Sequence, residues 1–417
     1  MSNQDETIVA AVDIGTTKVV TVIAEIRGKQ INVIGVGEEE NNGSQQGTIS
    51  NISEAARAVK ASVEKAQKMA GKDIEVNNVI ASVGGKHLTG IKSHGVTTLT
   101  LSREKEITQA DKDRAIESAK SMPLPADREI LHVIPTQYII DGQDEIMDPL
   151  GMSGVRIETD VYIVTGATTL VENVRKTIKM AGYEMDDIYI QPIGSGNATL
   201  YEDEKELGVL LIDIGGGTTD IALYHKNALK FIKIIPVGGK YITGDLVPAL
   251  QTSKSITEEI KKQYGLLYEE DAGEEIIEVP DRTRTSTRPM FRKDLAPYIK
   301  YRIYELFDMV KKELKNEGID KSLYGAGIVL TGGGAKLNGL LRFVQENMGG
   351  SVRIGVPLQE KVTGRYEVID KPQYSTVVGI IDYFVREHGK NERLISSSGG
   401  FLTKTSDKIK KFLSEFF

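Results

Sequence analysis

Two short stretches of this chain place an acid, glycines and hydroxyls at the end of an apolar run, a combination suited to holding phosphate. Asp13-Ile14-Gly15-Thr16-Thr17-Lys18 follows the run Ile8 to Val12. Asp213-Ile214-Gly215-Gly216-Gly217-Thr218-Thr219-Asp220 follows the run Val209 to Ile212. Glycine lets backbone N–H groups come close to phosphate oxygens, and threonine hydroxyls add donors. A carboxylate beside a polyphosphate makes sense when a Mg²⁺ hydration shell lies between them, so Asp13 and Asp213 are the candidate metal-associated acids. A third stretch, Ile328-Val329-Leu330-Thr331-Gly332-Gly333-Gly334-Ala335, reads as a strand feeding a glycine turn and a helix. Such bare backbone accommodates an adenosine or an α-phosphate. Glu258 and Lys261 stand three apart in the helical stretch Thr257 to Tyr264 and share a face. They read either as a solvated ion pair or as contacts to ribose and base.

The elements that must carry these residues repeat. Each acidic motif sits between a buried strand and a returning one, Val19 to Ile26 in the first half and Ile221 to Tyr224 in the second. Asp13 to Gly37 and Asp213 to Gly238 share nearly the same spacing and apolar pattern, which predicts two related halves facing one ligand. Between them, a helix with Ala56, Val59, Val63, Ala66 and Ala70 on one face is expected to be capped by Ser53 and stopped by Gly71. Val79 to Val83 is a predicted strand, and Val161 to Val164 reads as a return to the core sheet. Residues 84–165, with short alternating strands and clusters of Pro and Gly, read as an inserted subdomain. The expected organisation is 1–83 with 166–205 as the first core and 206–237 with 326–387 as the second. A second insertion occupies 238–325, 388–405 is a polar linker and 406–417 is a terminal helix.

Composition narrows the function. The 417 residues suffice for two or more cores, and a net charge of −7 argues against a nucleic-acid partner held by bulk electrostatics. No cysteine is present, which excludes thiol chemistry and suits a reducing cytoplasm. No apolar run approaches the ~20 residues of a membrane span, so neither a signal peptide nor a transmembrane helix is expected. The last twelve residues, SDKIKKFLSEFF, place Ile409, Phe412, Leu413, Phe416 and Phe417 within an arc of roughly 140° on a helix. Lys408, Lys410 and Lys411 occupy the flanks, so a helix lying on an anionic membrane surface is expected, weakly bound per copy and firm only when many copies act together.

The three glycine turns, in this order, resemble those of the actin-like ATPase superfamily. Ile130-Leu131-His132-Val133-Ile134-Pro135 and Pro149-Leu150-Gly151-Met152-Ser153-Gly154-Val155-Arg156 narrow the resemblance to the FtsA family of bacterial cell-division proteins. It implies an α/β fold of two RNase H-like domains around a nucleotide cleft, each with a small inserted subdomain, holding ATP with Mg²⁺. By that similarity Asp13 and Asp213 hold the metal through water, while Gly15, Thr16, Thr17, Lys18, Gly215, Gly216, Gly217 and Thr218 hold phosphates. Glu258 and Lys261 meet ribose and base, and Gly333, Gly334 and Lys336 lie beside the adenosine. Gln191 sits where relatives place an acid or amide that orients attacking water. A glutamine cannot take that water's proton at neutral pH, so slow turnover at most is expected. The resemblance further implies self-association into filaments and binding of the FtsZ C-terminal tail on the second insertion, around Arg282, Arg284, Arg288, Arg292, Lys293 and Lys300. It also implies other division proteins as partners, and a peripheral position on the cytoplasmic face of the cell membrane at the septum. A small-molecule kinase of the same superfamily, with Asp141 or Asp160 as base, is the enzymatic alternative. A pilus or secretion adaptor of the same fold is the other.

Overall fold

The computed structural model describes residues 7–99 and 106–389. Strands β1 (Thr7–Ile14), β2 (Lys18–Arg27) and β3 (Gln30–Glu40) form an antiparallel meander, followed by a short hairpin, β4 (Ser44–Gln45) and β5 (Thr48–Ile49). Helix α1 (Ile52–Ala70) crosses back, and β6 (Asn78–Val83) pairs parallel to β1. The chain then leaves the sheet to build a separate four-stranded antiparallel sheet from β7 (Thr89–Thr98), β8 (Arg128–Ile140), β9 (Gln143–Ile146) and β10 (Arg156–Ala167), in the order β7-β10-β8-β9. Helix α2 (Gln109–Lys120) packs on it. Helix α3 (Thr168–Ala181) leads to β11 (Glu184–Ile190), parallel to β6, and helices α4 (Gln191–Thr199) and α5 (Glu202–Leu207) lead out of this half.

The second half repeats the pattern. Strands β12 (Val209–Ile214), β13 (Thr219–His225) and β14 (Ala228–Ile235) form the meander. Helices α6 (Gly239–Leu250) and α7 (Lys254–Tyr264), the hairpin β15 (Ile276–Pro280) with β16 (Thr287–Phe291), and α8 (Ala296–Asn316) form the second insertion. Strand β17 (Gly327–Thr331) then pairs parallel to β12, and after α9 (Leu340–Met348) β18 (Val352–Ile354) pairs parallel to β17. The closing segment holds β19 (Val362–Gly364), α10 (Tyr366–Ile369) and α11 (Ser375–Gly389). The two sheets run β11-β6-β1-β2-β3-β19 and β14-β13-β12-β17-β18, so apart from β19 each is one antiparallel meander extended by two parallel strands.

Helices cover both faces of the first sheet, which is why β1 and β2 read as unbroken apolar runs rather than alternating ones. Helix α1 lies close to β3 because Gly37 has no side chain: a Cβ there would stand 1.9 Å from the Ser62 carbonyl oxygen. The small face of α1, with Ala55, Ala56, Ser62 and Ala66 buried, matches that approach.

Four expectations are corrected. Asn51 rather than Ser53 caps α1, its side chain accepting the Glu54 N–H. Val161 to Val164 belongs to the inserted sheet as part of β10, paired with β7 and β8. Its apolar run is real, because Tyr162 and Val164 of β10 are buried in the same hydrophobic cluster as residues of β1 and α1. Residues 326–387 do not all stay in the second half: β19 pairs parallel to β3, and α11 buries Val377, Val378, Ile380 and Ile381 against the first sheet. Finally, α11 continues through His388 to Gly389, where the linker was expected to begin. The rest of the linker and the terminal helix with Ile409, Phe412, Leu413, Phe416 and Phe417 lie outside the described residues. No helix among the described residues is long and apolar enough to cross a membrane.

Candidate functional site

Each acidic motif is the tight turn of its meander, β1 to β2 and β12 to β13, and Gly15 and Gly215 close these turns by donating to the Lys18 and Thr218 carbonyls. The turns come from opposite halves and meet tip to tip. A Cβ on Gly216 would stand 2.4 Å from Thr17 Cγ2, and one on Gly217 2.4 Å from Thr16 Oγ1. The consecutive glycines therefore also let one half's turn nest against the other's. Lys240, at the start of α6, reaches across to the Thr16 carbonyl at 2.8 Å.

Beneath the tips lies a cavity of about 90 Å³ lined by Asp13, Gly15, Thr16, Thr17, Lys18, Gln191, Asp213, Gly215, Gly216 and Thr218. Asp13 and Asp213 thus open onto one space. Asp13 accepts from the Ser82 hydroxyl and, at 2.9 Å, from the Gln191 amide, which places Gln191 at the cavity through its bond to the acid. Burial raises the Asp13 carboxyl above its ordinary value, with the Ser82 and Gln191 hydrogen bonds opposing. Burial, then the Asp13 charge, pushes Asp213 up to about 6.

A third carboxylate was spelled out in the second motif but given no role. Asp220 is the direct cross-strand partner of Asp213, buried, lines the same cavity and leaves its Oδ1 without a hydrogen-bond partner. Burial and the Asp213 charge hold it well above the ordinary carboxylate range. Like charges placed directly opposite on a sheet destabilise it. The first half shows that the topology does not demand them, because Val20 stands opposite Asp13. Three acids around one cavity, Asp213 and Asp220 buried and Asp13 half-buried, one with an orphaned oxygen, fit a cation, whose charge would return them to the ionised form. Among the described residues no group of three or more such side chains is arranged to hold a metal by itself, so a Mg²⁺ here would complete its shell with water and phosphate oxygens.

A second cavity of about 310 Å³ shares Thr17, Lys18, Gly215, Gly216 and Gly333 with the first and continues to Glu258, Lys261, Gly334, Lys336 and Leu337. Gly333 presents bare backbone, since a Cβ there would meet nothing within 4 Å, whereas one on Gly334 would strike Ile214. Lys261 bonds Glu258 at 2.6 Å and also donates to the Gly239 carbonyl and the Thr243 hydroxyl. Burial depresses its pKa and Glu258 opposes that shift. The pair is therefore part of the cavity wall, and Lys18 is likewise engaged, with Glu38 at 2.8 Å and above the Tyr374 ring. Wall residues with no local sequence signal include Gly47, Gln373 and Thr376, from the β4–β5 hairpin and the closing segment, while Ser82 of β6 supports the wall from behind through its bond to Asp13.

Elsewhere, three of the six basic residues expected to form a patch on the second insertion are paired with carboxylates, and two more have neutral partners. Arg284 pairs with Glu259, Arg292 with Glu275 and Lys293 with Glu274, while Arg288 donates to the Ala249 and Leu250 carbonyls and Lys300 covers the Tyr268 ring. More distinctive there is the outer face of α8, where Tyr298, Tyr301 and Tyr304 are exposed, Tyr301 at 73%. Asp160 is held by His94 and Gln137, and Asp141 accepts the Val155 and Arg156 N–H groups, so both act within the first insertion.

The family model described as "Cell division protein FtsA" matches residues 210–379, and the one described as "SHS2 domain inserted in FTSA" matches residues 85–165. The cell division protein FtsA of Neisseria meningitidis serogroup B is 40% identical over 380 residues, covering 91% of this chain and 90% of the relative. That of Escherichia coli K12 is 33% identical over 421 residues, 98% of each chain. Among solved structures, a PilM–PilN type IV pilus biogenesis complex superposes with a TM-score of 0.63 at 16% identity, covering 90% of this chain and 98% of that one. ADP-bound MreB5 of Spiroplasma citri gives 0.54 at 14%, covering 93% and 98%. At those identities the two structures establish the fold alone, an actin-like α/β architecture. Identity of 33–40% over nearly its whole length shows that the chain belongs to the FtsA family of bacterial cell-division proteins.

Proposed function

We propose that this chain binds one Mg·ATP between its two halves, self-associates into actin-like filaments and tethers FtsZ filaments to the inner face of the membrane during septum formation. The observation that carries the nucleotide part is the convergence of Asp13, Asp213 and Asp220 with two glycine–threonine turns on a single cavity. In this reading Asp13 and Asp213 hold the Mg²⁺ through water, which neutralises phosphate charge and links the two halves. Backbone N–H groups at Gly15, Gly215, Gly216 and Gly217, with the Thr16, Thr17 and Thr218 hydroxyls and Lys18, cradle the phosphates. Glu258 and Lys261 meet the ribose and base, and Gly333, Gly334 and Lys336 lie along the adenosine.

Gln191, held by Asp13, orients a water at the terminal phosphate without accepting its proton, which sets any turnover slow. The kinase alternative loses its candidate bases, because Asp141 and Asp160 are engaged in the first insertion. The FtsZ tail is assigned to the second insertion, where the α8 tyrosines supply apolar contact beside paired arginines. Membrane attachment is assigned to residues 406–417, and filament formation multiplies that weak contact.

The test is co-sedimentation of FtsZ with anionic vesicles in the presence of Mg·ATP. The intact chain is expected to bring FtsZ down, and Phe416→Glu/Phe417→Glu to leave both proteins in solution. Equal pelleting of the two would refute the membrane assignment.

A further inference from the structure

The short hairpin between β3 and α1 touches both acidic turns and both halves, although nothing in its composition marks it as part of a nucleotide site. Its root is the buried Asn41, whose side-chain N–H groups donate to the Gly15 carbonyl at 2.7 Å and to Ser44 Oγ at 2.8 Å, while its backbone N–H donates to the Thr17 carbonyl. At its tip Gln46 and Gly47 both have positive φ, 49° and 76°, the pattern of a two-residue hairpin turn. Glycine adopts that backbone freely and glutamine does not, so the unfavourable residue sits where its side chain crosses to the other half. The Gln46 amide donates to the Tyr241 hydroxyl on α6. Tyr241 is itself backed by the Arg302 guanidinium, which grips Asp245 through two bonds of 2.7 and 2.8 Å.

Gly47 joins this crossing to the phosphate cavity. It lines that cavity, and its N–H donates to Thr16 Oγ1 at 2.9 Å. A hydroxyl that accepts from behind keeps its own proton to donate forward. A Cβ on Gly47 would stand 2.8 Å from Gly85 and 3.0 Å from Thr218 Cγ2, so the turn is wedged between the first half's strand end and the second half's phosphate turn.

We infer that the Gln46–Gly47 turn is a positioning element of the clamp: Gly47 orients the Thr16 hydroxyl toward phosphate, and the Gln46–Tyr241 bond holds the two halves closed over it. This rests on the nucleotide reading above and adds residues to that site. The bond borders an open cavity of about 480 Å³ that Gln46 and Tyr241 line together with Lys240 and Asp245, so opening exchanges it for water and the clasp is reversible.

The test is a double-mutant cycle with Gln46→Ala, Tyr241→Phe and the pair, read by the Kd for a fluorescent ATP analogue with Mg²⁺ and by thermal unfolding without nucleotide. Each single substitution is expected to raise Kd about fivefold, the scale of one neutral hydrogen bond, and the double variant no further. Backbone exchange at residues 45–49 should slow on adding Mg·ATP to the unaltered chain, and slow much less in Tyr241→Phe. Kd values within twofold of the unaltered chain, fully additive effects, or loss of thermal stability with unchanged Kd would each overturn the inference while leaving nucleotide binding intact. An unaltered chain that binds no nucleotide would overturn both.

Discussion

Replacing Asp213 with Asn should make the nucleotide-free protein more stable while abolishing its Mg·ATP binding. The Asp213 carboxyl lies buried, facing Asp220 across the strand pair and near Asp13, and its pKa is raised from 3.8 to about 6. An acid whose folded pKa exceeds its unfolded one favours the fold fully below the unfolded value. That contribution is lost as pH rises through the folded value, and above it the ionised group opposes folding. The difference of about two pH units corresponds to about 3 kcal/mol at neutral pH. Asn keeps the size and removes the charge. It also relieves Asp220, for which the Asp213 charge is the largest contributor after burial. Denaturant unfolding in EDTA at pH 7.5 should therefore show Asp213→Asn to be more stable by roughly 2–4 kcal/mol. The gain should shrink toward zero by about pH 4, where the native carboxyl is already protonated. Mg·ATP should stabilise the unaltered chain by mass action and leave the variant unmoved. A variant no more stable than its parent at pH 7.5, or one whose gain ignores pH, would refute the picture of a cavity strained by its own charge.

Three further outcomes are expected. Lys261→Ala should weaken nucleotide binding about tenfold, the lower end for a charged hydrogen-bonding group, while the Mg²⁺ requirement persists; a titration showing unchanged affinity would remove Lys261 from the nucleoside wall. Gln191→Ala should eliminate slow phosphate release yet keep Mg·ATP affinity within a few-fold, and undiminished release would exclude its part in orienting water. Gly37→Ala should destabilise the first half by about 1–3 kcal/mol or more, because the added methyl meets the α1 backbone at Ser62, and an unchanged unfolding midpoint would contradict that packing.

What the chain discloses in one dimension follows from how local each signal is. The two acidic turns and the glycine turn at Gly332 were readable because residue type, strand and turn all lie within ten positions. The matching spacing of the halves announced the repeated topology. Asp220 was within the motif, yet its meaning came only from the strand pairing that sets it against Asp213 while the first half sets Val20 against Asp13. Gln373 lines the cavity, and Ser82 and Asn41 hold its Asp13 and Gly15, from other elements with no pattern of their own. The closing segment was placed in the wrong half because β19 is three residues long and pairs with β3 over three hundred positions away, too short to show periodicity and too distant for spacing to help. The stretch 282–293 reads as a basic surface because the partners of Arg284, Lys293 and Arg292, which are Glu259, Glu274 and Glu275, become neighbours only after folding.

The most direct measurement is a titration of the full chain with a fluorescent ATP analogue, with Mg²⁺ and with EDTA, beside Asp13→Asn and Asp213→Asn. One site per chain, dependent on Mg²⁺ and lost in both variants although their acids belong to opposite halves, is the predicted result. Undiminished affinity in either variant would contradict a nucleotide held jointly by the two halves.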